Sequence, residues 1–323
     1  MKTSTNDYLS RESLGYKSYS YGYDTVDMVV YQKDVPDSNF LTDVPQFLSE
    51  ASMTRDEDGY IKYIKGKLGS LDVYINSFYI KIHGSLSAYC HGTNLELLSL
   101  QETRTTLWEI EETLNLPLES VVVSRLDIAA NIPTELQVKA YYPLLFEYKR
   151  SQRVQYGKGG IYFKSKNQEL SFYDKNQEMK RVTTESLIRY ELKLRHLGKV
   201  LNRRVIATEL YDPIFWNQML ALWYSCYLDI KKISKGTNDF SQVTSLKDLY
   251  NKALRKCYCN DPTMLDQLEM ASNNGFINKN TSKAVRKKLK NIICSPLSQE
   301  KNEQIKEFDN KMKDVVEQFK VQI

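Results

Sequence analysis

The sequence is poor in the features that mark membrane, secreted and nucleotide-hydrolysing proteins. Its five cysteines are odd in number and scattered, with no secretory leader before them, which favours a reduced cytoplasm over a disulfide framework. No apolar run approaches the roughly 20 residues that span a bilayer, so we expect no membrane association. The glycines between 156 and 160 lack the spacing and the following helix of a phosphate-binding loop, so we expect no ATP site.

A cysteine-based metal site is also missing. Cys257 and Cys259 are separated by one residue rather than the two of a zinc knuckle, and no second Cys/His pair lies nearby. The composition is otherwise that of an ordinary globular protein, with 41% hydrophobic residues, 26% charged residues and a formal net charge of +5. A charge this small permits nucleic-acid binding without requiring it, so local patterns have to decide the function.

One stretch, Glu169–Glu178, has the pattern of a strand that runs into a charged turn. Because side chains alternate along a strand, Leu170 and Phe172 are predicted on one face, and Ser171 and Tyr173 on the other. Tyr173 therefore belongs to the more polar face. A phenol there can act as a nucleophile, but its ordinary pKa of about 10 means that it needs help from neighbouring groups.

Two further stretches alternate in the same way. They are 121–131, which contains Asp127, and 186–195, in which Arg189 and Glu191 lie opposite an apolar row. If the three strands share one sheet, their polar faces bring together a phenol and two carboxylates among arginines and lysines. That combination suits a tyrosine that attacks a phosphodiester beside a divalent metal, and carboxylate ligands suit Mg²⁺ or Mn²⁺.

In their order and approximate spacing, these stretches resemble the motifs of the rolling-circle replication initiators. The similarity is to the plasmid Rep_trans group and to the related gene II family of filamentous phage, and it covers roughly residues 60–200. The segments that carry it are Ser124-Arg125-Leu126-Asp127-Ile128-Ala129, Tyr173-Asp174-Lys175-Asn176-Gln177-Glu178 and Arg189-Tyr190-Glu191-Leu192-Lys193-Leu194, together with Gly84-Ser85-Leu86-Ser87-Ala88-Tyr89 and Gly92-Thr93-Asn94-Leu95, which are similar to the gene II type.

The resemblance implies a role for several residues of this sequence. Tyr173 falls on the family's nucleophilic tyrosine, and Asp127 and Glu191 fall on its acids that bind Mg²⁺ or Mn²⁺. Lys175, close to the nucleophile, is expected either to steady the phosphate or to be solvated. The alternative for the two acids is a structural role in ion pairs with neighbouring arginines. The rival nucleophiles are Tyr156, Tyr162 and Tyr190, of which Tyr190 is disfavoured by its place in the apolar row.

The sequence departs from the family in its metal ligands. Asn131 stands where the plasmid group often has a second acid, so the third ligand is open. The two histidines separated by one hydrophobic residue, which many related nicking enzymes carry, are missing. His83 lies in a predicted strand near where the plasmid group has another polar or acidic residue, and it is our candidate for the third ligand. The alternative is that His83 is structural.

We expect an α+β fold, with an antiparallel-sheet nicking domain of the HUH type, without its two-histidine motif, followed by a mostly helical C-terminal domain. The expected boundaries are a flexible arm over 1–24, the catalytic domain over 25–205 and the helical domain over 206–323. A short helix is expected within 44–52, and a longer helix that packs on the sheet within 133–153.

The helical region contains a basic segment. Between Glu269 and Glu300 there is no acidic residue, and a helix from Thr281 would have an apolar side and a basic side. With the preceding predicted helix it has the spacing of a helix-turn-helix, although a basic face is also typical of a merely solvated helix. The residues predicted to contact DNA are Lys283, Arg286, Lys287 and Lys290 in this segment, and Arg125 and Arg189 near the catalytic centre.

Taken together, the resemblance implies a metal-dependent, site-specific DNA endonuclease and strand transferase. It would nick one strand at a double-strand origin, form a covalent 5′-phosphotyrosine link and free a 3′-hydroxyl primer. By resemblance it would act on origin duplex and nicked single strand as a homodimer with a host helicase. The alternatives are a relaxase for plasmid mobilisation, with the same chemistry, and a non-catalytic DNA-binding protein.

Overall fold

Alternation of apolar and polar residues produces one large antiparallel sheet in the computed structural model, which describes residues 19–155, 159–232, 243–260, 264–293 and 303–322. The strands are β1 (Ser20–Tyr31), β2 (Ser49–Arg55), β3 (Ile61–Leu68), β4 (Leu71–Ile75), β5 (Tyr79–Ser85), β6 (Val122–Thr134), β7 (Leu145–Tyr148), β8 (Gln152–Gln155), β9 (Ile161–Lys164), β10 (Gln168–Asp174), β11 (Ser186–Leu194) and β12 (Ile230–Lys232). Ten of them form the sheet in the order β2-β3-β4-β5-β1-β6-β11-β10-β9-β8, and β12 pairs with β7. The three predicted strands β6, β11 and β10 are neighbours, which confirms that they share a sheet.

Helices lie between and after the strands, so the predicted α+β class is confirmed. They are α1 (Phe40–Asp43), α2 (Leu86–His91), α3 (Leu100–Leu114), α4 (Lys175–Glu178), α5 (Leu197–Leu201), α6 (Pro213–Leu228), α7 (Leu246–Asn260), α8 (Met264–Asn273), α9 (Lys279–Ile293) and α10 (Glu303–Phe319).

Local sequence explains where several helices begin. Ser99 and Glu102 form a reciprocal capping box at the start of α3. Pro213 stands at the start of α6, where its missing N–H costs nothing. The Asp174 carboxylate accepts a hydrogen bond from the Gln177 backbone N–H at 2.9 Å and so caps α4. The strand that carries Tyr173 therefore ends at a defined residue.

The apolar face of the central strands packs against α6 and α10. The fully buried ring of Tyr190 stacks on Phe172 with centroids 4.4 Å apart, and its hydroxyl donates to the Trp223 carbonyl at 3.1 Å. Phe308 of α10 meets Phe172 edge-on at 6.4 Å. The prediction that Tyr190 lies on the apolar face is thus confirmed. The predicted division between residues 205 and 206 does not coincide with a division of this core.

Two expectations about the N-terminal part need correction. Strand β1 begins at Ser20, so residues 20–24 belong to the sheet and not to a flexible arm, while residues 1–18 lie outside the described ranges. The physical reason is burial, because the rings of Tyr21 and Tyr23 each lie 5.2 Å from Trp216. The short helix expected within 44–52 is only a single 3-10 turn over Pro45–Phe47, after which β2 begins.

The helix expected over 133–153 is also wrong. Strand β6 continues to Thr134, and two 3-10 turns then lead into β7 and β8. Pro143 lies in the second of these turns, where it would interrupt a continuous α-helix. Apolar residues of this segment, such as Leu145 and Tyr148, are buried in extended conformation.

Candidate active site

Strand register brings the predicted polar row together. Antiparallel pairing of β10 and β11 sets Tyr173 opposite Arg189, and Glu191 follows two residues further on the same face of β11. Pairing of β11 with β6 sets Asp127 opposite Lys193. A cavity of about 500 Å³ opens on this face, lined by the side chains of Tyr173, Glu191, Asp127 and Lys193 among others.

The Tyr173 hydroxyl donates to Glu191 Oε1 at 2.5 Å. Burial, and next the charge of Glu191, raise the pKa of Tyr173 well above its ordinary value, while Arg189 partly opposes this. The phenol is therefore protonated at rest. Its hydrogen bond to a carboxylate provides an acceptor for the proton that a nucleophilic phenol has to lose.

Lys193, which the sequence reasoning did not single out, lies at the same carboxylate. Its Nζ is 3.1 Å from Glu191 Oε2. Burial alone would lower the pKa of Lys193, but Glu191 and Asp127 outweigh it and the pKa is raised. Lys193 consequently carries a positive charge inside the cavity. Alternation does place Lys193 in the predicted polar row with Arg189 and Glu191, but no role in the site was predicted for it.

Asp127 is almost fully buried and is held by a two-pronged contact from Arg125. The Nε–Oδ1 distance is 2.9 Å and the Nη2–Oδ2 distance is 2.6 Å. Burial raises the pKa of Asp127 to about 6, with Arg125 opposing the rise and Glu191 adding to it. Like charges on Asp127 and Glu191 thus face one cavity, an arrangement that a bound cation would relieve.

A third carboxylate, Asp24, was missed because its position fell within the predicted arm. It lines the same cavity, accepts from the Ser85 hydroxyl at 2.6 Å and lies 3.4 Å from Arg189 Nη1. Burial raises the pKa of Asp24, although Arg189 opposes the rise. The signal that could have found it is the alternation of Tyr21 and Tyr23 with polar residues, which extends the strand to Ser20.

Arg189, predicted to contact DNA, is fully buried. Its Nε donates to Asn131 Oδ1 at 2.9 Å and its Nη2 donates to the Leu95 carbonyl at 3.2 Å. Together with its ion pair to Asp24, these hydrogen bonds connect Arg189 to β1, to β6 and to the segment between α2 and α3. This placement corrects the prediction, since the guanidinium braces the site and does not face solvent.

Lys175 is fully buried as well, so it is not the solvated alternative. Its Nζ donates to Asn94 Oδ1 at 2.9 Å and to Glu178 Oε2 at 2.7 Å, and lies 6.0 Å from the centroid of the Tyr173 ring. Burial, and next the charge of Arg189, lower the pKa of Lys175. Asn94 and Glu178 themselves line the cavity.

The segment between α2 and α3 closes one end of this face. The Leu95 carbonyl accepts from Asn131 Nδ2 as well as from Arg189, and Leu98 forms a β-bridge with Tyr23. The crossing is so close that a Cβ at Gly22 would lie 2.1 Å from the Leu98 carbonyl oxygen. Only glycine fits there without displacing the segment.

His83, the predicted third metal ligand, does not line the cavity. It lies on the same sheet face, but its Nδ1 is 2.5 Å from Asp27 Oδ1. Within the described ranges, no group of three or more His, Cys, Asp and Glu side chains is arranged to hold a metal ion. The structure thus brings Asp127 and Glu191 together and leaves His83 apart, and metal binding itself stays a prediction.

Among the rival tyrosines, Tyr162 lines the same cavity, with its hydroxyl donating to the Gly159 carbonyl at 3.2 Å. Burial raises the pKa of Tyr162. Tyr156 lies outside the described ranges.

The basic segment predicted to contact duplex forms α9, which packs against α8. Lys283 and Lys287 are exposed, whereas Leu289 and Ile292 are buried, as the amphipathic pattern predicts. Arg286 Nη2 pairs with Glu269 of α8 and donates to the Leu265 carbonyl, so it holds the two helices together. The backbone of Lys290 continues α9, but its side chain lies outside the described part.

No helix within the described ranges is both long and apolar enough to cross a membrane.

Comparison with known proteins bears on the resemblance. Residues 59–206 match the family model for the N-terminal part of the gene II replication-associated protein, a little less than half of the chain. This stretch is therefore similar to the gene II replication-associated family. The match spans all three motif segments, so the predicted relationship to the gene II group of rolling-circle proteins is confirmed over the predicted extent.

Among solved structures, the chain is similar to the rolling-circle replication initiator protein from Geobacillus stearothermophilus. The sequence identity is 14%, the TM-score is 0.38, and the match covers 69% of this chain and 89% of that one. No curated protein matches the sequence. Within the matched residues 59–206 lie Asp127, Tyr173 and Glu191, whereas α6 to α10 follow them.

Proposed function

We propose that the protein initiates rolling-circle replication by nicking one DNA strand through a tyrosine transesterification, with Tyr173 as the nucleophile. The observation that carries the proposal is the hydrogen bond from the Tyr173 hydroxyl to Glu191 Oε1, inside a cavity lined by Asp127 and Lys193. A nucleophile, a proton acceptor and a cation thus face one space that is large enough for a phosphodiester.

In the forward step, an electron pair of the Tyr173 phenolic oxygen attacks phosphorus while its proton passes to Glu191. The bond to the 3′-oxygen breaks, and that oxygen takes a proton from water. The products are a 5′-phosphate ester on Tyr173 and a free 3′-hydroxyl. In the reverse step a 3′-hydroxyl attacks the phosphotyrosine and restores the diester. Lys193, held positive by its carboxylate neighbours, offsets charge that develops on the phosphate oxygens.

We propose Asp127 and Glu191 as the residues that would hold Mg²⁺ or Mn²⁺. Mg²⁺ usually binds one or two carboxylates and completes its shell with water and phosphate oxygens, so a pair of carboxylates fits its chemistry. The ion would polarise the scissile phosphate. The protein's own part is to orient both carboxylates, through the ion pairs of Arg125 with Asp127 and of Lys193 with Glu191.

For the origin duplex, we propose recognition by α9, supported by the exposed lysines 283 and 287 on the side away from its buried residues. We also propose that the catalytic region ends near residue 205. The region that follows would serve recognition or assembly. The homodimer and the host helicase rest on the family resemblance.

The test is incubation with Mn²⁺ and a supercoiled plasmid that carries the protein's own gene and flanking DNA. Wild type, Tyr173→Phe and the matched variant Tyr162→Phe are compared. We expect relaxed product with protein attached to a 5′ end from wild type and Tyr162→Phe, and none from Tyr173→Phe. Nicking that persists in Tyr173→Phe but is lost in Tyr162→Phe would move the nucleophile.

Salt-sensitive DNA binding without nicking by any of the three proteins would contradict the proposed chemistry and favour the non-catalytic alternative. Nicking confined to a transfer origin, with no nick at the replication origin, would favour a mobilisation relaxase.

A further inference from the structure

The sheet face that carries the cavity continues across β1, β5, β4 and β3 as a surface of stacked aromatic rings. The rings of Tyr63 and Tyr74 have centroids 5.3 Å apart, and those of Tyr74 and Tyr79 have centroids 5.8 Å apart, with interplanar angles of 28° and 29°. We call these three residues the tyrosine row. All three residues are half-buried, so each is partly open to solvent.

The opposite face of these strands explains why the row is not part of the core. Ile64, Val73, Ile75, Ile80 and Ile82 alternate with the outward residues and are nearly inaccessible to solvent. These five buried side chains thus form the inner, core-facing side of the strands. The three stacked tyrosines lie on the outer face, so burial of the core does not account for them.

Lysines lie among the rings. Lys65 Nζ is 5.2 Å from the centroid of the Tyr63 ring. Lys81 is the antiparallel partner of Tyr74, and its side chain is 43% exposed. At the nearby end of β1, Lys33 Nζ lies 5.8 Å from the Tyr31 ring. Rings interleaved with cations match the alternating bases and phosphates of a nucleic acid strand.

The tyrosine row is connected to the cavity through side chains on the same face. Lys81 Nζ lies 3.2 Å from Asp27 Oδ2. Asp27 is the antiparallel partner of Arg125, which lines the cavity and holds Asp127. From β6 to β3 there are four strand spacings, roughly 19 Å in all. A strand leaving the cavity across the sheet would therefore reach the row within a few nucleotides.

We infer that the tyrosine row is a single-strand binding platform, on which bases flanking the scissile phosphate stack. Stacking on aromatic rings needs no particular base, so the platform would hold the strand without reading its sequence. The inference rests on the proposed function only for the identity of the strand, which would be the one nicked at the cavity. It assigns a function to residues that take no part in the chemistry.

The experiment measures binding of a fluorescent single-stranded oligonucleotide that lacks the origin, by anisotropy, for wild type, Tyr74→Ala and Tyr74→Phe. Loss of one stacking ring is expected to weaken binding roughly 5- to 150-fold in Tyr74→Ala. Tyr74→Phe keeps the ring and should bind like wild type. Trp108→Ala is the matched control, because this exposed residue on α3 also has a cation over its ring, Arg104 at 4.2 Å.

The same proteins are tested with a duplex of the same sequence and in the supercoiled-plasmid assay. Selective loss of single-strand binding in Tyr74→Ala, with a normal unfolding temperature, supports the platform even if no protein nicks DNA. Nicking by wild type with unchanged single-strand binding in Tyr74→Ala overturns the platform and leaves the proposed function intact. An equal loss of duplex binding also overturns it, since the row would then be a general phosphate-binding surface.

Discussion

Replacing Glu191 with glutamine removes the acceptor for the Tyr173 proton and keeps the shape of the side chain. The Gln carbonyl can still accept from the phenol, and Lys193 keeps Glu169 at 3.9 Å, so the fold should survive. General-base catalysis contributes about 10²- to 10⁴-fold in rate. We therefore expect the nicking rate to fall by that factor, which corresponds to about 3 to 5 kcal/mol of transition-state stabilisation.

The assay is single-turnover nicking of the origin plasmid with saturating Mn²⁺, together with thermal unfolding of each protein. Glu169→Gln is the matched control, because Glu169 is another buried carboxylate on the neighbouring strand that pairs with Lys193 and with Arg195 but does not line the cavity. We expect it to nick at a rate close to wild type. A Glu191→Gln protein that nicks within about threefold of wild type would refute the base assignment.

Three further predictions concern the sheet and the basic helix. In metal-free buffer, the raised pKa of Asp127 means that the folded state holds its proton between pH 4 and pH 6, so the stability contribution of this group is present at low pH and is lost as pH rises. From pH 4 to pH 6 the unfolding free energy of wild type should therefore fall by up to about 3 kcal/mol more than that of Asp127→Asn. If urea titrations give the two proteins the same dependence of unfolding free energy on pH, the prediction is contradicted. Gly22→Ala should destabilise the protein by about 1 to 3 kcal/mol, because the added methyl group would collide with the Leu98 carbonyl oxygen. An unchanged urea midpoint would contradict the close approach of Leu98 to Gly22. Replacing Lys283 and Lys287 with alanine should remove about two phosphate contacts, so the slope of the logarithm of duplex affinity against the logarithm of salt concentration should become shallower by about two. The same change at two exposed lysines of α10 should leave this slope unchanged.

Alternation along the strands was sufficient to predict which face of its own strand each side chain of the site occupies. In β10 the period of two residues separates Tyr173 from Phe172, and in β11 it separates Glu191 from Tyr190, whose ring is buried in the core; the pairing of the two strands then puts Tyr173 and Glu191 on one face. The motif order indicated the region of similarity to the gene II family for the same reason, since it depends only on residue types and their spacing.

What the sequence could not determine is how deep each polar side chain lies and what it meets there. Arg189 is predicted from sequence to contact DNA, and Lys175 either to steady the phosphate or to be solvated, yet the structure buries both side chains. The segment around Leu145 is predicted from sequence to be helical, but pairing with β12 holds it extended.

By itself, then, the sequence determined the resemblance to the gene II family, the strand periodicity and the polar side of each strand that carries Tyr173, Asp127 or Glu191. Only the tertiary structure decided that Asp24 joins the cavity, that His83 pairs with Asp27 instead, and that the tyrosine row continues the same face. The physical reason is that periodicity is set by the backbone within one strand. The neighbours of a side chain depend instead on which strands pair and in which register, and those choices are made by packing across the whole sheet.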